Sequence, residues 1–315
     1  MCSDWECPVD FELSSDQQLL IDSIEAMVKP YSSLPAGAHG YVEYSAILQR
    51  QLEESGFLTI AAQPGFGLLD AALVVELVAR CPVSVEAASS AMIAPLIEGF
   101  ATPVALAWNL NRPSRFLNHA RTLCYIQEDA VYVGRPGPAN FTAIESVAAY
   151  PLAILTSVPQ NAVRLTGDIA AAIRRRASMG IAAEAAGLMR GALDLTVKYV
   201  KERRQFGQPL GHFQAIQHRL AEDAQIVHAC RTLVLRSADE DTAPSAALAC
   251  LYAQDAMRKL IYDCHQFSGA IGLTLEYPLH LWTYRLKYLQ GEAGGKASQA
   301  QSLANLLWPP PSRVA

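Results

Sequence analysis

The sequence lacks the features that mark several classes of protein. It has seven cysteines but no C-x-x-C pair, which argues against both a zinc site and a disulfide framework. No uninterrupted apolar run reaches the roughly 18 residues that a membrane-spanning helix needs. The 25 basic and 30 acidic residues form no long block of one sign, so neither a nucleic-acid surface nor a membrane partner is predicted.

Apolar residues, in contrast, are abundant. Hydrophobic residues make up 51% and charged residues 17% of the 315 positions. This composition allows an extensive core in one large domain or in roughly two to three packed subdomains. The N-terminus has no basic segment followed by an apolar run. We therefore expect a globular, cytoplasmic protein whose cysteines are mostly reduced.

Helical patterns dominate the first part of the chain. Ser14 and Gln17 have the spacing of a capping box, and apolar residues then keep a helical period up to Pro30, which predicts a first helix over about 15–29. Further helical patterns are YSAILQRQLEESG, LLDAALVVELVARC and SVEAASSAMIAPLIEGF. An N-terminal helical domain is predicted over residues 1–100.

The pattern changes at Thr102. Short β-rich runs such as TLCYIQ and AVYVG appear, and helices are interrupted by prolines 103, 113, 136, 138, 151 and 159. The helical period returns at Ile169, with patterns over 177–204, 212–238, 243–267 and 279–307. The predicted fold class is mainly α: the helical N-terminal domain, a reduced β middle domain over 101–167 and a C-terminal four-helix bundle over 168–315.

One stretch, YVKERRQFGQPLGHFQAIQHRLAED, carries more chemistry than a helix hairpin needs. Arg203 stands at a helix C-terminus, where the dipole favours a cation, so capping alone explains it. Phe206, Phe213, Gln214 and Gln217 surround a Gly-Pro turn. Together with Arg203 they offer an apolar face, amide groups and a charge suited to the pyrophosphate and adenine of a dinucleotide. A packed hairpin is the alternative from the residues alone.

The same stretch resembles the C-terminal bundle of the acyl-CoA dehydrogenase family, whose pattern is E-R-x-x-F-G-x-P-[LI]-x-x-F-Q-x-x-Q-x-x-L-A. The matching residues are Glu202, Arg203, Phe206, Gly207, Pro209, Leu210, Phe213, Gln214, Gln217, Leu220 and Ala221. In that family the arginine and the phenylalanine–glutamine pair contact FAD from the neighbouring subunit of a dimer. The resemblance implies an FAD site that includes Arg203, Gln205, Phe206, Phe213, Gln214 and Gln217.

A second stretch, HQFSGAIGLTLEYPLHLW, follows a predicted helix, and its glycines are read most simply as a C-cap and a turn. It also resembles the family's Q-x-x-G-G-x-G-x-T-x-E run, which lies against the diphosphate side of the flavin. The matching residues are Gln266, Gly269, Gly272, Thr274 and Glu276, while Ser268 and Ala270 depart. The resemblance implies that FAD is also contacted by Gln266, Gly269 and Gly272.

The resemblance covers about residues 10–100 and 150–295. The middle of the chain departs from it. Catalytically complete members hold the flavin ring with a T-E-P-x-x-G-S-D-like loop and a W-I-[TS]-N-like strand. The segment YIQEDAVYVGRPGPANF contains neither.

The family's reaction is α,β-dehydrogenation of an acyl-CoA thioester, in which a carboxylate removes the α-proton. Most members place this base in a Y-E-G-T-like motif, and the ungapped position falls on Ala293, beside Glu292. An isovaleryl-CoA dehydrogenase-like branch places it eleven residues before the loop glutamine, which gives Asp255. The resemblance implies Asp255 as the base, with Glu292 as its alternative. From the residues alone, Asp255 could instead pair with Lys259 at i+4.

Arg174, Arg175 and Arg176 stand at what the pattern predicts to be a helix start, where the dipole disfavours cations and an anionic partner is invited. A phosphate of CoA is one candidate, which makes them candidate substrate-binding residues. A salt bridge to the acidic residues at 239–241 or to a partner subunit is the equal alternative. The histidines show no metal-ligand spacing, so no metal is predicted.

The shortened middle segment and the altered base motif favour one subunit of an α2β2 acyl-CoA dehydrogenase, a form that the family uses for bulky substrates such as CoA thioesters of steroid side chains. The implied partners are an acyl-CoA, FAD, a paralogous subunit or a second copy in a homo-oligomer, and an electron-transfer flavoprotein. The alternatives are a non-catalytic structural or substrate-binding subunit and, on the same fold, a flavin oxidase or monooxygenase.

Overall fold

The computed structural model describes residues 13–34, 40–99 and 101–308, so Cys2, Cys7 and the prolines at 309–311 lie outside the described residues. The helices are α1 (Ser15–Val28), α2 (Ala46–Glu54), α3 (Leu68–Ala79), α4 (Ala88–Ile93), α5 (Gly167–Glu202), α6 (Gln214–Glu240), α7 (Ala243–Ser268), α8 (His280–Leu289) and α9 (Gly295–Leu307). The predicted fold class is confirmed. The domain limits at residues 100 and 167 stay a prediction.

Helices α1 to α4 form the N-terminal part. The capping box is present: Ser14 Oγ accepts from the Gln17 N–H at 3.2 Å, and Gln17 Oε1 accepts from the Ser14 N–H at 3.0 Å. Helix α3 is apolar on most of its surface and is buried from Asp70 to Ala79. Helix α4 ends at Ile93, earlier than its pattern predicted, because Pro95 lies in a short 3-10 turn that follows.

The middle segment folds into two small sheets. Its strands are β1 (Val104–Ala107), β2 (Pro113–Arg115), β3 (Thr122–Ile126), β4 (Val131–Gly134), β5 (Phe141–Ile144), β6 (Leu152–Leu155) and β7 (Val163–Leu165). One sheet has the order β1-β3-β4-β7, with β1 parallel to β3; the other is antiparallel, with the order β2-β6-β5. Side chains from β1, β3 and β6 share a small core of their own, so the two sheets pack face to face.

Helix α5 is the central element of the C-terminal bundle, with 36 residues that contact α3, α4, α6, α7 and α8. It begins at Gly167, about two turns before Arg174 would mark its start. The prediction that Arg174, Arg175 and Arg176 occupy a helix start is therefore wrong. The first turn carries Asp168 instead, which suits the positive end of the dipole.

The fourth helix of the predicted bundle is two helices. Helix α8 ends at Leu289 and α9 begins at Gly295. Between them Ala293 has φ 52°, and Gly294 and Gly295 have φ 84° and 68°. Left-handed backbone at successive residues cannot continue a right-handed helix, so the chain turns here.

The described cysteines are free and buried, at positions 81, 124, 230, 250 and 264. Burial raises the pKa of the Cys81 thiol to about 11 and that of Cys124 to about 12, so both stay protonated at neutral pH. Within the described ranges no helix combines the length and apolar character needed to cross a membrane.

Close packing of α3 on α5 gives a first prediction. A Cβ added at Gly187 would lie 2.8 Å from Ala79 Cβ and 2.9 Å from the Glu76 carbonyl carbon, both on α3. We expect Gly187→Ala to lower the free energy of unfolding by about 2 kcal/mol, because the two helices must move apart. Urea denaturation measures the change.

The matched control is Gly67→Ala, where nothing lies within 4 Å of the added Cβ. Its effect should stay within about 0.5 kcal/mol. Equal losses of unfolding free energy in the two variants would contradict the role given to the close packing of α3 on α5.

Candidate functional site

Helix α5 ends in a hairpin rather than in a simple turn. The Arg203 N–H donates to the Tyr199 carbonyl at 2.8 Å and closes the helix, which confirms that Arg203 stands at its C-terminus. The chain then forms β8 (Arg204–Gln205) and β9 (Gln208–Pro209). Phe206 and Gly207 link the two strands with φ of 53° and 82°, the backbone of a type I′ turn. We call residues 203–217 the corner.

Phe206 is the most exposed large apolar side chain of the corner. It is 88% exposed, and its ring meets only the edge of Phe213, with centroids 6.1 Å apart. A non-glycine residue in left-handed backbone costs about 1 kcal/mol or more. The fold thus holds an apolar ring in a strained position facing solvent, which is typical of a surface that binds something.

Polar groups surround the two rings. Arg203 and Gln214 are exposed. The Gln217 side-chain amide donates to the Gly211 carbonyl at 2.7 Å and thereby braces the turn that precedes α6. A guanidinium, free amide groups and aromatic faces on one surface can together bind a phosphate and a flat ring.

The glycine loop after α7 forms the second predicted region. Gly269 caps the helix with φ 62°, so the C-cap interpretation is confirmed. Gly272 is buried, and a Cβ added there would lie 2.7 Å from Ser268 Cβ, so no larger residue fits. Gln266 is exposed on the last turn of α7.

The topology brings the two regions to one end of the bundle. Helices α6 and α7 run antiparallel and reverse direction at Asp241, whose φ is 41°. Lys259 Nζ lies 2.8 Å from Asp223 Oδ1, which pairs residues at equal distances from the reversal. The start of α6, with Gln214 and Gln217, therefore lies beside the end of α7, with Gln266.

A polar cleft of about 970 Å³ separates the middle segment from α9. One wall is the turn after β3, residues 127–130; the other is a polar helix face made of Ser298, Gln301, Ser302 and Asn305. Trp108 also lines it. At its edge the Arg174 guanidinium donates to the Gln127 carbonyl at 2.7 and 3.2 Å, so this cation is held in place facing the cleft.

Known proteins are similar in sequence to the part of the chain that forms this end of the bundle. Residues 174–307 match the family described as acyl-CoA dehydrogenase, C-terminal domain. The acyl-CoA dehydrogenase IpdE2 of Mycolicibacterium smegmatis is 28% identical over 291 residues, which cover 87% of this chain and 93% of that protein. The chain thus resembles acyl-CoA dehydrogenases over most of its length and matches their C-terminal domain over residues 174–307.

Other similarities are more partial. The acyl-CoA dehydrogenase FadE34 of Mycobacterium tuberculosis is 36% identical over 158 residues, 46% of this chain, and the match spans only 21% of FadE34. Among solved structures, the ChsE4-ChsE5 complex of Mycobacterium tuberculosis superposes with a TM-score of 0.76 at 19% identity, over 96% of this chain and 100% of that one. A steroid acyl-CoA dehydrogenase described as Tcur3481-Tcur3483 gives 0.75 at 21%, over 93% and 97%. Both show the shared fold.

Asp255, the predicted base, is an exposed residue of α7. Its carboxylate pairs with Lys296 Nζ on α9 at 2.6 Å. The alternative that it pairs with Lys259 is wrong, because Lys259 points toward α6 and contacts Asp223 and Asp263 instead. Asp255 and Lys296 both border a mainly apolar cavity of about 620 Å³. A role as base for Asp255 stays a prediction.

Glu292, the alternative base, is buried. Its two carboxylate oxygens lie 3.1 and 3.0 Å from Arg115 Nε, and Arg115 Nη1 lies 2.5 Å from Glu184. Glu184 also accepts from the Tyr150 hydroxyl at 2.6 Å. Burial raises the pKa of Glu292, and the adjacent Arg115 only partly offsets this. Arg115 thus engages both oxygens of this carboxyl group, and a role as base for Glu292 stays a prediction.

The Arg115 cluster (Arg115, Tyr150, Glu184 and Glu292) was not predicted from the sequence. It joins β2, the bend before β6, α5 and the turn before α9, and its ion-pair partners stand 69 and 177 positions from Arg115 along the chain. Local patterns carry no information on pairs so far apart. The only local signal was Arg115 itself, which stands in the proline-containing segment NRPSRF.

The three arginines of α5 separate into two groups. Arg175 Nε lies 2.6 Å and Arg176 Nη2 3.4 Å from the carboxylate of Asp241, so the predicted alternative of a salt bridge to residues 239–241 is what forms. Arg174 alone faces the polar cleft. Substrate binding by these residues stays a prediction. In the part of the chain that the structure describes, no His, Cys, Asp or Glu cluster could hold a metal ion.

A second prediction concerns pH. Because the folded state raises the pKa of Glu292 above its ordinary 4.5, this carboxyl contributes stability below about pH 4.5 that is lost as the pH rises. We therefore expect the difference in unfolding free energy between Glu292→Gln and the wild-type chain to shift in favour of the variant as the pH rises. Between about pH 4.5 and pH 8 this shift should amount to about 1 kcal/mol or more. Thermal or urea unfolding across this range measures the difference.

The control is Glu54→Gln, which alters an exposed carboxylate. Its difference from the wild-type chain should stay nearly constant over the same range. A Glu292→Gln difference that is equally constant would show that the buried carboxyl does not resist ionisation.

Proposed function

We propose that the chain catalyses FAD-dependent α,β-dehydrogenation of an acyl-CoA thioester as one subunit of an α2β2 complex with a paralogous acyl-CoA dehydrogenase. The similarity to acyl-CoA dehydrogenases supports the reaction class. The observation that carries the subunit proposal is a complete and exposed corner in a chain whose middle segment has no flavin-ring motif.

The corner fits the adenine and diphosphate end of FAD. Arg203 offers a charged donor, Gln214 and Gln266 offer amide groups, and Phe206 and Phe213 offer aromatic faces. Each charge-assisted hydrogen bond to a phosphate is worth about 1.5–3 kcal/mol. Bound FAD would supply the ring that accepts the substrate's β-hydrogen as hydride. The residues of this chain would hold and orient the cofactor, with Gly269, beside which the space is open, leaving room for its phosphates.

A second subunit would supply the other wall of the site. Exposed apolar side chains gather at this end of the bundle, with Phe206 at 88%, Leu273 at 75% and Tyr262 at 61% exposure. Uncovered apolar groups of this size are typical of a contact surface. The two-component names of the ChsE4-ChsE5 complex and of Tcur3481-Tcur3483 support a paralogous partner rather than a homo-oligomer.

The same proposal extends to the substrate and to the electron acceptor. Tcur3481-Tcur3483 is named a steroid enzyme, which supports a bulky acyl group such as a steroid side chain for this chain as well. Arg174, fixed at the edge of the polar cleft, is the candidate contact for a CoA phosphate. Electrons would pass to an electron-transfer flavoprotein.

A second candidate function is that of a non-catalytic structural or substrate-binding subunit. It is favoured by the state of the two candidate bases, because Asp255 is paired with Lys296 and Glu292 is held by Arg115. In this case the partner subunit holds both the flavin and the base.

Cofactor binding tests the proposal. The chain would be purified alone and together with the product of a neighbouring paralogous gene, and FAD binding followed by flavin fluorescence. We expect tight binding only in the complex, and Arg203→Met should raise the FAD dissociation constant by about 10- to 100-fold, the equivalent of one charge-assisted hydrogen bond. The control Arg190→Met alters an exposed arginine midway along α5. A yellow, fully active homodimer of this chain alone would contradict the proposal.

Turnover of the complex separates the two functions. If Asp255 is the base, Asp255→Asn should lower the rate of acyl-CoA oxidation by about 100-fold or more without loss of bound FAD. Lys296→Met removes the ion pair but keeps the carboxylate, and should retain most of the activity. Unchanged turnover in Asp255→Asn and in Glu292→Gln would assign the chemistry to the partner.

A further inference from the structure

Helices α6 and α7 are joined by an ionic network of buried carboxylates and partly exposed cations that none of the assigned roles uses. Asp223 on α6 and Asp263 on α7 are both 0% exposed. Lys259 Nζ lies between them, 2.8 Å from an oxygen of each. Arg219 also contacts Asp263, and its guanidinium stacks over Phe267 at 4.9 Å. We call Arg219, Asp223, Lys259 and Asp263 the α6–α7 network.

The network fixes how far one helix is displaced along the other. A buried carboxylate without its cation is strongly disfavoured, so the favourable arrangement is the one in which both aspartates meet Lys259. Sliding α7 by one turn, about 5.4 Å, would separate the two pairs that cross between the helices, Asp223 with Lys259 and Asp263 with Arg219. Apolar packing alone tolerates small displacements better than charge pairing does, because apolar contacts are not directional.

The position of the network is as specific as its chemistry. On α6, Arg219 follows Ile216 by three residues, so the two share a face, and it lies five residues, about one and a half turns, beyond Gln214. On α7, Asp263 precedes Gln266 by three residues. The network therefore forms the layer next to the bundle end at which the proposed cofactor residues of α6 and α7 meet.

We propose that Arg219, Lys259 and Asp263 are positioning residues for the cofactor. They set the spacing between the side of the site carried by α6, with Phe213 and Gln214, and the side carried by α7, with Gln266 and Gly269. This inference rests on the proposed function for its cofactor. It adds that the two sets of FAD contacts, one on α6 and one on α7, are held in register by charged residues that do not touch FAD.

The test uses the full chain with its partner and three variants. Asp263→Asn is isosteric and removes one buried charge, Arg219→Met removes the partly exposed cation, and Arg219→Lys keeps that charge. The matched control is Arg236→Met, which breaks the exposed pair of Arg236 with Glu240 (2.6 Å) near the opposite end of α6. FAD affinity, melting temperature and amide hydrogen exchange are measured for each variant.

We expect Asp263→Asn and Arg219→Met to raise the FAD dissociation constant about tenfold at a temperature well below melting, because the preorganised spacing is lost. When measured without FAD, the amides of residues 203–217 and 266–273 should exchange faster in these two variants than in the wild-type complex. Arg219→Lys should restore most of the affinity, and Arg236→Met should change neither measurement. Arg219→Met is the variant to use if Asp263→Asn does not fold.

The inference is overturned if both variants melt at lower temperature but bind FAD within twofold of the wild-type complex while Arg203→Met does not. In that case the network stabilises the bundle and positions nothing. If no form of the complex binds FAD, the proposed function fails by itself. Hydrogen exchange then decides the inference, which is overturned if exchange at the corner and glycine loop does not change.

Discussion

Antiparallel packing of α5, α6 and α7 is the constraint on which the rest of the structure depends. Helix α5 runs through the centre of the molecule, and glycines at 187 and 191 let α3 and α8 approach its backbone more closely than any side chain would permit. Because the helices alternate in direction, the C-terminus of α5, the N-terminus of α6 and the C-terminus of α7 all lie at one end. The residues proposed to bind FAD are carried by these termini, so the site is a consequence of the helix order.

Buried charge links the parts of the molecule that apolar packing alone would leave free to shift. The Arg115 cluster connects the middle segment with α5 and the turn before α9, and the α6–α7 network connects two bundle helices. Buried ion pairs contribute little net stability, since desolvation offsets most of the attraction. Their directionality, however, favours one arrangement over its neighbours. Both networks lie next to the surfaces at which function is proposed, which is where displacements of about 1 Å matter most.

The proposed function makes the chain one part of a divided active site. Its bundle end is exposed and rich in groups that suit a dinucleotide, whereas its two candidate bases are both engaged in ion pairs. The polar cleft by Arg174 is lined by hydroxyl and amide groups, and the cavity beside Asp255 is mainly apolar. A substrate with a phosphorylated end and a large apolar end would need surfaces of both kinds.

Local sequence patterns predict the fold class, helix α1 with its capping box, the end of α5 at Arg203 and the C-cap at Gly269, because each of these depends on contacts within a few residues. The start of α5 was predicted too late, which placed Arg174, Arg175 and Arg176 at a helix start. The break at Ala293 was missed because an alanine does not ordinarily indicate left-handed backbone. Three pairings emerge from the packing of distant elements: Asp255 with Lys296, Arg115 with Glu292, and Lys259 with two aspartates. These pairings join residues far apart in the chain, and charge neutralisation in a buried site depends on which helices meet there, which no local pattern records.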